Sequence, residues 1–397
     1  MRRFLDLADF SREQLLALLA LARRLEATPE PQALAGQVLG LLFMNPSLRT
    51  LSSFQSGMAR LGGASFVITP GNGTWQIETR DGVTMDGAAA EHIREGIPAL
   101  ASYCDALGIR SFADGTDLAA DLGERKFAAM AHLVDKPLIN LESALSHPCQ
   151  SLADWKTLDE LGIPPDGKFV LSWAYHPRAL PLAVPASTVH MAALRGMQVV
   201  VLAPEGFELP EAIIDKAQRA ATASGGSLCV TSDRREALSD AHVVYAKEWG
   251  NTAHYGDAAA DADARRNLKH WCFDESWFTN TRQDCRLMHC LPVRRNVAIA
   301  DALLDGPRSV VARQAYNRLP AQMAVLYELL KPTESPAAAR AAAPPAAARA
   351  AAPPAAAPPA AAPPAAAPPA AAPPAAAPPA AAAPPAAAPP DGVSPLK

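Results

Sequence analysis

The 397-residue sequence predicts an α/β chain of two doubly wound parallel-sheet domains joined by a long helix, plus a disordered Ala/Pro-rich tail. Three observations predict it. Short apolar runs alternate with amphipathic stretches from Met1 to about Lys331. That alternation runs through two successive series, in a chain long enough for two ordinary domains. Beyond about Pro336 the chain repeats Ala-Ala-Ala-Pro-Pro with almost no other residue type.

The first series opens at Ser11-Arg12-Glu13-Gln14, a capping box ahead of a leucine-rich helix to about Leu25. Val38–Met44 is an apolar run that ends in a loop at Pro46 and reads as a strand. Helix Thr50–Leu61 and strand Ala64–Thr69 follow, then helix Glu91–Tyr103, strand Ala106–Ile109, helix Glu124–Leu133 and strand Leu138–Leu141. A long helix around Leu152–Leu161 leads into the second series. There the strands are Lys168–Ala174, Val199–Leu202, Leu228–Val230 and His242–Ala246, with helices Ala186–Arg195 and Glu211–Ala223. Arg286–Leu291 and Ser309–Val311 are expected to close the sheet, and Gln314–Leu330 to form the final helix. The expected domains are 1–150, 151–313, a helix 314–332 returning to the first domain, and a tail 333–397. A Pro-Pro pair in every repeat removes helix donors, so the tail should be an extended polyproline-like spacer. Strict Pro-x-x-P spacing is absent, which argues against a ligand for proline-reading modules.

Acidic residues (40) nearly balance basic ones (36), with no basic run to suit nucleic acid. No apolar stretch before the tail is long enough to span a membrane. The start, Met1-Arg2-Arg3-Phe4, meets Asp6 and Asp9 rather than an apolar segment, so no signal peptide is expected. The six cysteines form no Cys-x-x-Cys pair, and they suit reduced thiols of a cytoplasmic protein.

Three constellations carry chemistry. Asn45-Pro46-Ser47-Leu48-Arg49-Thr50 joins a strand end to a helix start, where free N–H groups and the helix dipole favour an anion. Ser47 and Thr50 add hydroxyls, and Arg49 adds a fork for two oxygens. The same string also reads as an N-capping turn with an exposed arginine. His147-Pro148-Cys149-Gln150 offers a donor for a carbonyl oxygen and an amide for an NH2 group, although a lone loop histidine is often only solvated or capping. His289-Cys290-Leu291-Pro292, followed by Arg294 and Arg295, can aim backbone carbonyls at an amine, especially if the Leu291–Pro292 bond is cis, or can be a simple turn.

Taken in this order, Ser47–Thr50, His147–Gln150 and His289–Pro292 resemble the hallmarks of the aspartate/ornithine carbamoyltransferase superfamily. The resemblance covers about 330 residues. Trp75, Met85-Asp86-Gly87, Glu91-His92, Gly108–Phe112, Trp173, His176-Pro177 and Tyr245–Lys247 are similar to its N-acylornithine branch, which comprises N-acetylornithine and N-succinylornithine carbamoyltransferases. The Asp-x-x-x-Ser-Met-Gly string of plain ornithine enzymes is absent.

The resemblance implies transfer of a carbamoyl group from carbamoyl phosphate to the side-chain amine of an acylornithine, in arginine biosynthesis, without a cofactor or metal. It implies carbamoyl-phosphate contacts from Ser47, Leu48, Arg49, Thr50, Trp75, Arg110, His147, Pro148, Cys149, Gln150, Cys290, Leu291 and Arg318. Of these, Arg49, Thr50, Arg110, His147, Gln150 and the Cys290 carbonyl would act in catalysis. Glu142, His176, Lys247, Arg294 and Ala90 would meet the acylornithine. Trp75 would come from a neighbouring subunit of a homotrimer. Glu142 and Lys247 also read as a buried pair, and Trp75 as core or interface. Ala90 stands where acetyl-type relatives resembling this stretch carry glutamate and succinyl types carry proline; with Ala298 and Pro181 it points to N-succinyl-L-ornithine. N-acetyl-L-ornithine and a catalytically silent binding homologue are the alternatives. Leu51 departs from the arginine common after Ser-x-Arg-Thr.

Overall fold

The computed structural model describes Met1–Lys331, so the expected tail at 333–397 lies outside the described residues. The first half contains β1 (Arg3–Phe4), α1 (Arg12–Ala27), β2 (Val38–Phe43), α2 (Leu48–Arg60), β3 (Ala64–Ile68), β4 (Gln76–Glu78), β5 (Ala89–His92), α3 (Ile93–Ser102), β6 (Ala106–Arg110), α4 (Leu118–Leu122), α5 (Arg125–His132) and β7 (Leu138–Glu142). Helix α6 (Pro148–Glu160) connects to β8 (Lys168–Trp173), α7 (Ala183–Arg195), β9 (Gln198–Leu202), α8 (Glu211–Ser224), β10 (Ser227–Thr231), α9 (Arg234–Leu238), β11 (Val243–Lys247), α10 (Ala258–Arg265), β12 (Arg286–Met288), α11 (Asp301–Leu304) and α12 (Val311–Leu330).

Two five-stranded sheets form, ordered β1-β7-β6-β2-β3 and β10-β9-β8-β11-β12, with every pairing parallel. Their central strands are mainly apolar and buried along almost their whole length, as strands covered on both faces must be. In each sheet the chain reverses its direction of growth, between β2 and β6 in one and between β8 and β11 in the other. Beside these switch points the loops diverge and leave a crevice at the carboxyl ends of the strands. Helix α6 is buried along most of its length, and α12 packs against it as well as against α1 and α2.

Several expected boundaries shift for local reasons. Ser47 caps α2 through Thr50 N–H (3.2 Å), so the helix begins at Leu48. Pro148 opens α6 four residues before the expected start, because proline is preorganised for the first helical position. The expected helix from Glu91 instead begins at Ile93: residues 89–92 pair with β4, and the His92 ring accepts from Arg94 N–H. The expected strand Arg286–Leu291 ends at Met288, where the His289 N–H turns to the Gln314 side chain (2.9 Å). The strand expected at Ser309–Val311 reduces to one bridge, Leu287 to Ser309, and Val311 already belongs to α12. Among the described residues no helix is long and apolar enough to cross a membrane.

Candidate active site

A cavity of about 440 Å³ lies at the carboxyl ends of both sheets, lined by Ser47, Arg49, Arg110, Glu142, His147, Gln150, Lys247, Cys290, Leu291 and Arg318 among others. One wall is the turn from β2 into α2. Asn45 Oδ1 accepts from Phe112 N–H (2.8 Å), which ties this turn to the loop after β6. The Ser47 hydroxyl donates to Thr50 Oγ1 (3.0 Å), and Arg318 of α12 donates to the same Thr50 oxygen (2.7 Å). A helix start, two hydroxyls and two guanidinium groups therefore converge.

Arg110 ends β6 and ion-pairs with Glu142 at the end of β7, with its guanidinium stacked over Phe112. Lys247 does not pair with Glu142: it donates to the Glu248 carboxylate (2.9 Å), which also faces His289 (3.3 Å). The His147 ring lies 3.4 Å from Glu142, and its backbone N–H donates to Ser187 Oγ (2.7 Å), which fixes the residue to α7. On the opposite wall the Leu291–Pro292 peptide is cis, as the sequence raised, and Leu291 N–H donates to His289 Nδ1 (2.9 Å).

The electrostatics follow from burial under an excess of positive charge. Burial, then the Arg318, Arg110 and Arg49 guanidiniums, hold the His147 imidazole well below the ordinary histidine range, so the ring is neutral at pH 7. Arg49 is pulled down chiefly by burial. Burial, with Arg110 and Arg49 nearby, pulls Arg318 down to about 10, and it stays charged. Burial pushes the Cys290 thiol up to about 11, which keeps it protonated at neutral pH. Five buried polar atoms of cavity residues have no protein partner: Nε of Arg49, Arg110 and Arg318, Nδ1 of His147 and Oε1 of Gln150. Buried polar groups in natural interiors are generally hydrogen-bonded, so these atoms retain capacity to bind a ligand or water.

Eleven residues expected in the site do line the cavity: Ser47, Leu48, Arg49, Arg110, Glu142, His147, Gln150, Lys247, Cys290, Leu291 and Arg318. Thr50 is buried directly behind it. Pro148 and Cys149 are buried in the first turn of α6. His176 and Arg294 pair with one another instead, Nε to Nε2 at 2.9 Å. Trp75 immediately precedes β4 and Ala90 lies in β5, in the small sheet where Gln76 pairs with Ala89; both are exposed and outside this cavity. Three buried residues to which the sequence assigned no role in the site, Asp154, Tyr245 and Gln314, hydrogen-bond behind Gln150. Asp154, one helical turn after Gln150, was their one local signal. Among the described residues no cluster of His, Cys, Asp or Glu could hold a metal ion.

Residues 2–160 match the carbamoyl-phosphate-binding domain of the aspartate/ornithine carbamoyltransferases, and residues 183–329 match their Asp/Orn-binding domain. The chain belongs to this carbamoyltransferase family. Within it, the chain is 37% identical over 334 residues to an N-acetylornithine carbamoyltransferase of Xanthomonas campestris pv. campestris, covering 83% of this chain and 98% of that one. It is 34% identical over 303 residues to an N-succinylornithine carbamoyltransferase of Bacteroides thetaiotaomicron, covering 75% and 89%. A solved N-acetyl-L-ornithine transcarbamylase in which a glutamate is replaced by alanine, complexed with carbamyl phosphate and N-succinyl-L-norvaline, matches with TM-score 0.79 at 37% identity, covering 83% of this chain and 100% of that one.

Proposed function

We propose that this carbamoyltransferase moves the carbamoyl group of carbamoyl phosphate to the side-chain amine of N-succinyl-L-ornithine, giving N-succinyl-L-citrulline and phosphate, as a step of arginine biosynthesis. The observation that carries the reaction is the convergence of Arg49, Arg110, Arg318 and neutral His147 on one cavity at the start of α2. The start of α2 with Arg49 and Arg318 would hold the phosphate. Arg110, His147 and the Thr50 hydroxyl would face the carbonyl oxygen, where negative charge develops as the amine adds. Gln150 Oε1 and the Cys290 and Leu291 carbonyls would accept from the carbamoyl NH2 and orient the amine. A C–N bond forms, the C–O bond to phosphate breaks, and the departing phosphate takes the amine proton. Holding both reactants in one crevice supplies much of the acceleration.

On the acceptor side, Lys247, Arg294 and His176 suit a substrate that carries carboxylates. Trp75, just before β4, and Ala90, in β5, are exposed and do not line the chain's own cavity, which supports a homotrimer whose neighbouring copy completes each site. Alanine at 90 removes the charge and bulk that a glutamate would set against a succinyl carboxylate. The glutamate-to-alanine relative solved with N-succinyl-L-norvaline supports that argument. N-Acetyl-L-ornithine is the second reading, favoured by the higher identity to an N-acetylornithine carbamoyltransferase.

The test is turnover of purified protein with carbamoyl phosphate and N-succinyl-L-ornithine, N-acetyl-L-ornithine or L-ornithine, read as ureido product and phosphate. Preference for the succinyl compound is expected. Preference for the acetyl compound would transfer the assignment to the second reading, and no product with any of the three would overturn both.

A further inference from the structure

The amide of Gln150 can present either its oxygen or its NH2 to the cavity, since the two ends have nearly the same shape. Its partner decides. Gln150 Nε2 donates to Asp154 Oδ1 (2.8 Å), and a carboxylate accepts only, so the NH2 end must face inward. Oε1 is then left without a protein partner on a residue that lines the cavity. Asp154 is fully buried and is itself held from three elements. Oδ1 also accepts from Gln314 Nε2 (2.8 Å), and Oδ2 accepts from the Tyr245 hydroxyl (3.1 Å). Gln314 in turn accepts from His289 N–H (2.9 Å), at the start of the loop that carries the Cys290 and Leu291 carbonyls.

We infer that Asp154 is a positioning residue: it locks the Gln150 amide with Oε1 toward the bound acyl phosphate and, through Gln314, sets the facing carbonyl loop, so that the site selects an acyl group bearing NH2. This rests on the role given above to Gln150. The chemistry selected is a carbamoyl over an acetyl group, because a fixed acceptor rewards an N–H and leaves a methyl group unmatched. Burial raises the Asp154 carboxyl to about 6, while hydrogen bonds from Gln150, Gln314 and Tyr245 restrain the rise, so it is ionised at neutral pH.

The test is the ratio of dissociation constants for acetyl phosphate and carbamoyl phosphate, measured by titration calorimetry on the full chain. Asp154→Leu frees the amide, and the ratio should fall about tenfold, the scale of one buried hydrogen bond. Asp154→Ala is read in the same way if the leucine variant does not fold. Asp154→Asn keeps an acceptor oxygen where two donors point, and it should restore the ratio to within about threefold of wild type. Equal weakening of both ligands by Asp154→Leu, as a packing role alone would give, would overturn the inference. Gln150→Ala separates the two claims. If it collapses the ratio while Asp154→Leu does not, only the inference falls. If it leaves the ratio intact, the role of Gln150 falls with it.

Discussion

Arg49 offers the sharpest test of the phosphate cradle. It stands in the first turn of α2, lines the cavity, and carries a buried Nε with no protein partner. None of the ion pairs among the described residues includes it, whereas Arg110 is matched by Glu142. Its charge is therefore free for a ligand. A charge-assisted hydrogen bond contributes about 1.5–3 kcal/mol, and a guanidinium fork can make two to a phosphate. Arg49→Ala should then lose about 3–4 kcal/mol of transition-state binding, which is about a hundredfold to a thousandfold in kcat/KM. The same reasoning fixes the sign of the stability change. An unpaired, partly desolvated guanidinium beside Arg110 weakens the fold, so removing it should leave the melting temperature of the unliganded protein equal or higher. Steady-state kinetics with varied carbamoyl phosphate, and melting with and without phosphate, measure both. Turnover within about threefold of wild type would refute the role. So would a melting temperature lowered by about 3 °C or more without ligand, since that would make Arg49 a structural residue.

Ala90→Glu should shift acceptor preference toward N-acetyl-L-ornithine by about tenfold or more, because a carboxylate is set against the succinyl group; unchanged selectivity would count against the acyl-pocket argument. His190, buried beside Lys216, is held down to about 4. The folded state resists its protonation, so stability is lost as pH falls from about 6.5 toward 4, on the order of 2–3 kcal/mol. His190→Gln should therefore gain stability relative to wild type between pH 7.5 and 4.5 in urea titrations, and a difference that does not change with pH would refute this. Lys156 is fully buried and donates to Glu26 (2.6 Å) and Asn317 (3.1 Å) as well as to Glu160. Lys156→Met should lower unfolding free energy by about 1–2 kcal/mol, because it removes a charge-assisted donor from Glu26, Glu160 and Asn317 while Arg313 still pairs with both partly exposed carboxylates; an unchanged or higher unfolding free energy in denaturant would sink that account.

The parallel architecture was legible because burial on both faces leaves unbroken apolar runs such as Val38–Phe43 and Val243–Ala246, and no solvated antiparallel strand reads that way. The cavity was legible where its residues sit in contiguous strings at strand ends: Ser47–Thr50, Arg110, and His147–Gln150. What escaped was set by contacts between distant segments. Gln314 meets Asp154 across 160 residues and Tyr245 meets it across 91, separations that no local periodicity records. The short pairing of Gln76–Glu78 with Ala89–His92 escaped because Glu91 and His92 look like the first turn of a helix. Glu124, expected inside a helix, takes a left-handed conformation at φ 51° while its carboxylate accepts from Ala144 and Leu145 N–H, a loop contact invisible to helix periodicity.

The distribution of charge compensation separates scaffold from site. Where α1, α6 and α12 meet, Lys156 and Arg313 are matched against Glu26 and Glu160, so the charges there are mutually satisfied. Two turns toward the amino end of α6, and just over one turn further along α12, lie Gln150 and Arg318, whose Oε1 and Nε, respectively, lack partners. The same two helices thus carry a closed ionic cluster and, in Gln150 and Arg318, part of the open cationic cradle. A guanidinium cluster such as Arg49, Arg110 and Arg318 repels itself and would spread apart on a soft support. Backing its helices with a satisfied cluster, and with the Asp154 hub between, holds those groups in place before any anion arrives, as electrostatic preorganisation demands. The cost of keeping the cradle open is borne by the unliganded fold, and it is recovered when a dianionic ligand enters.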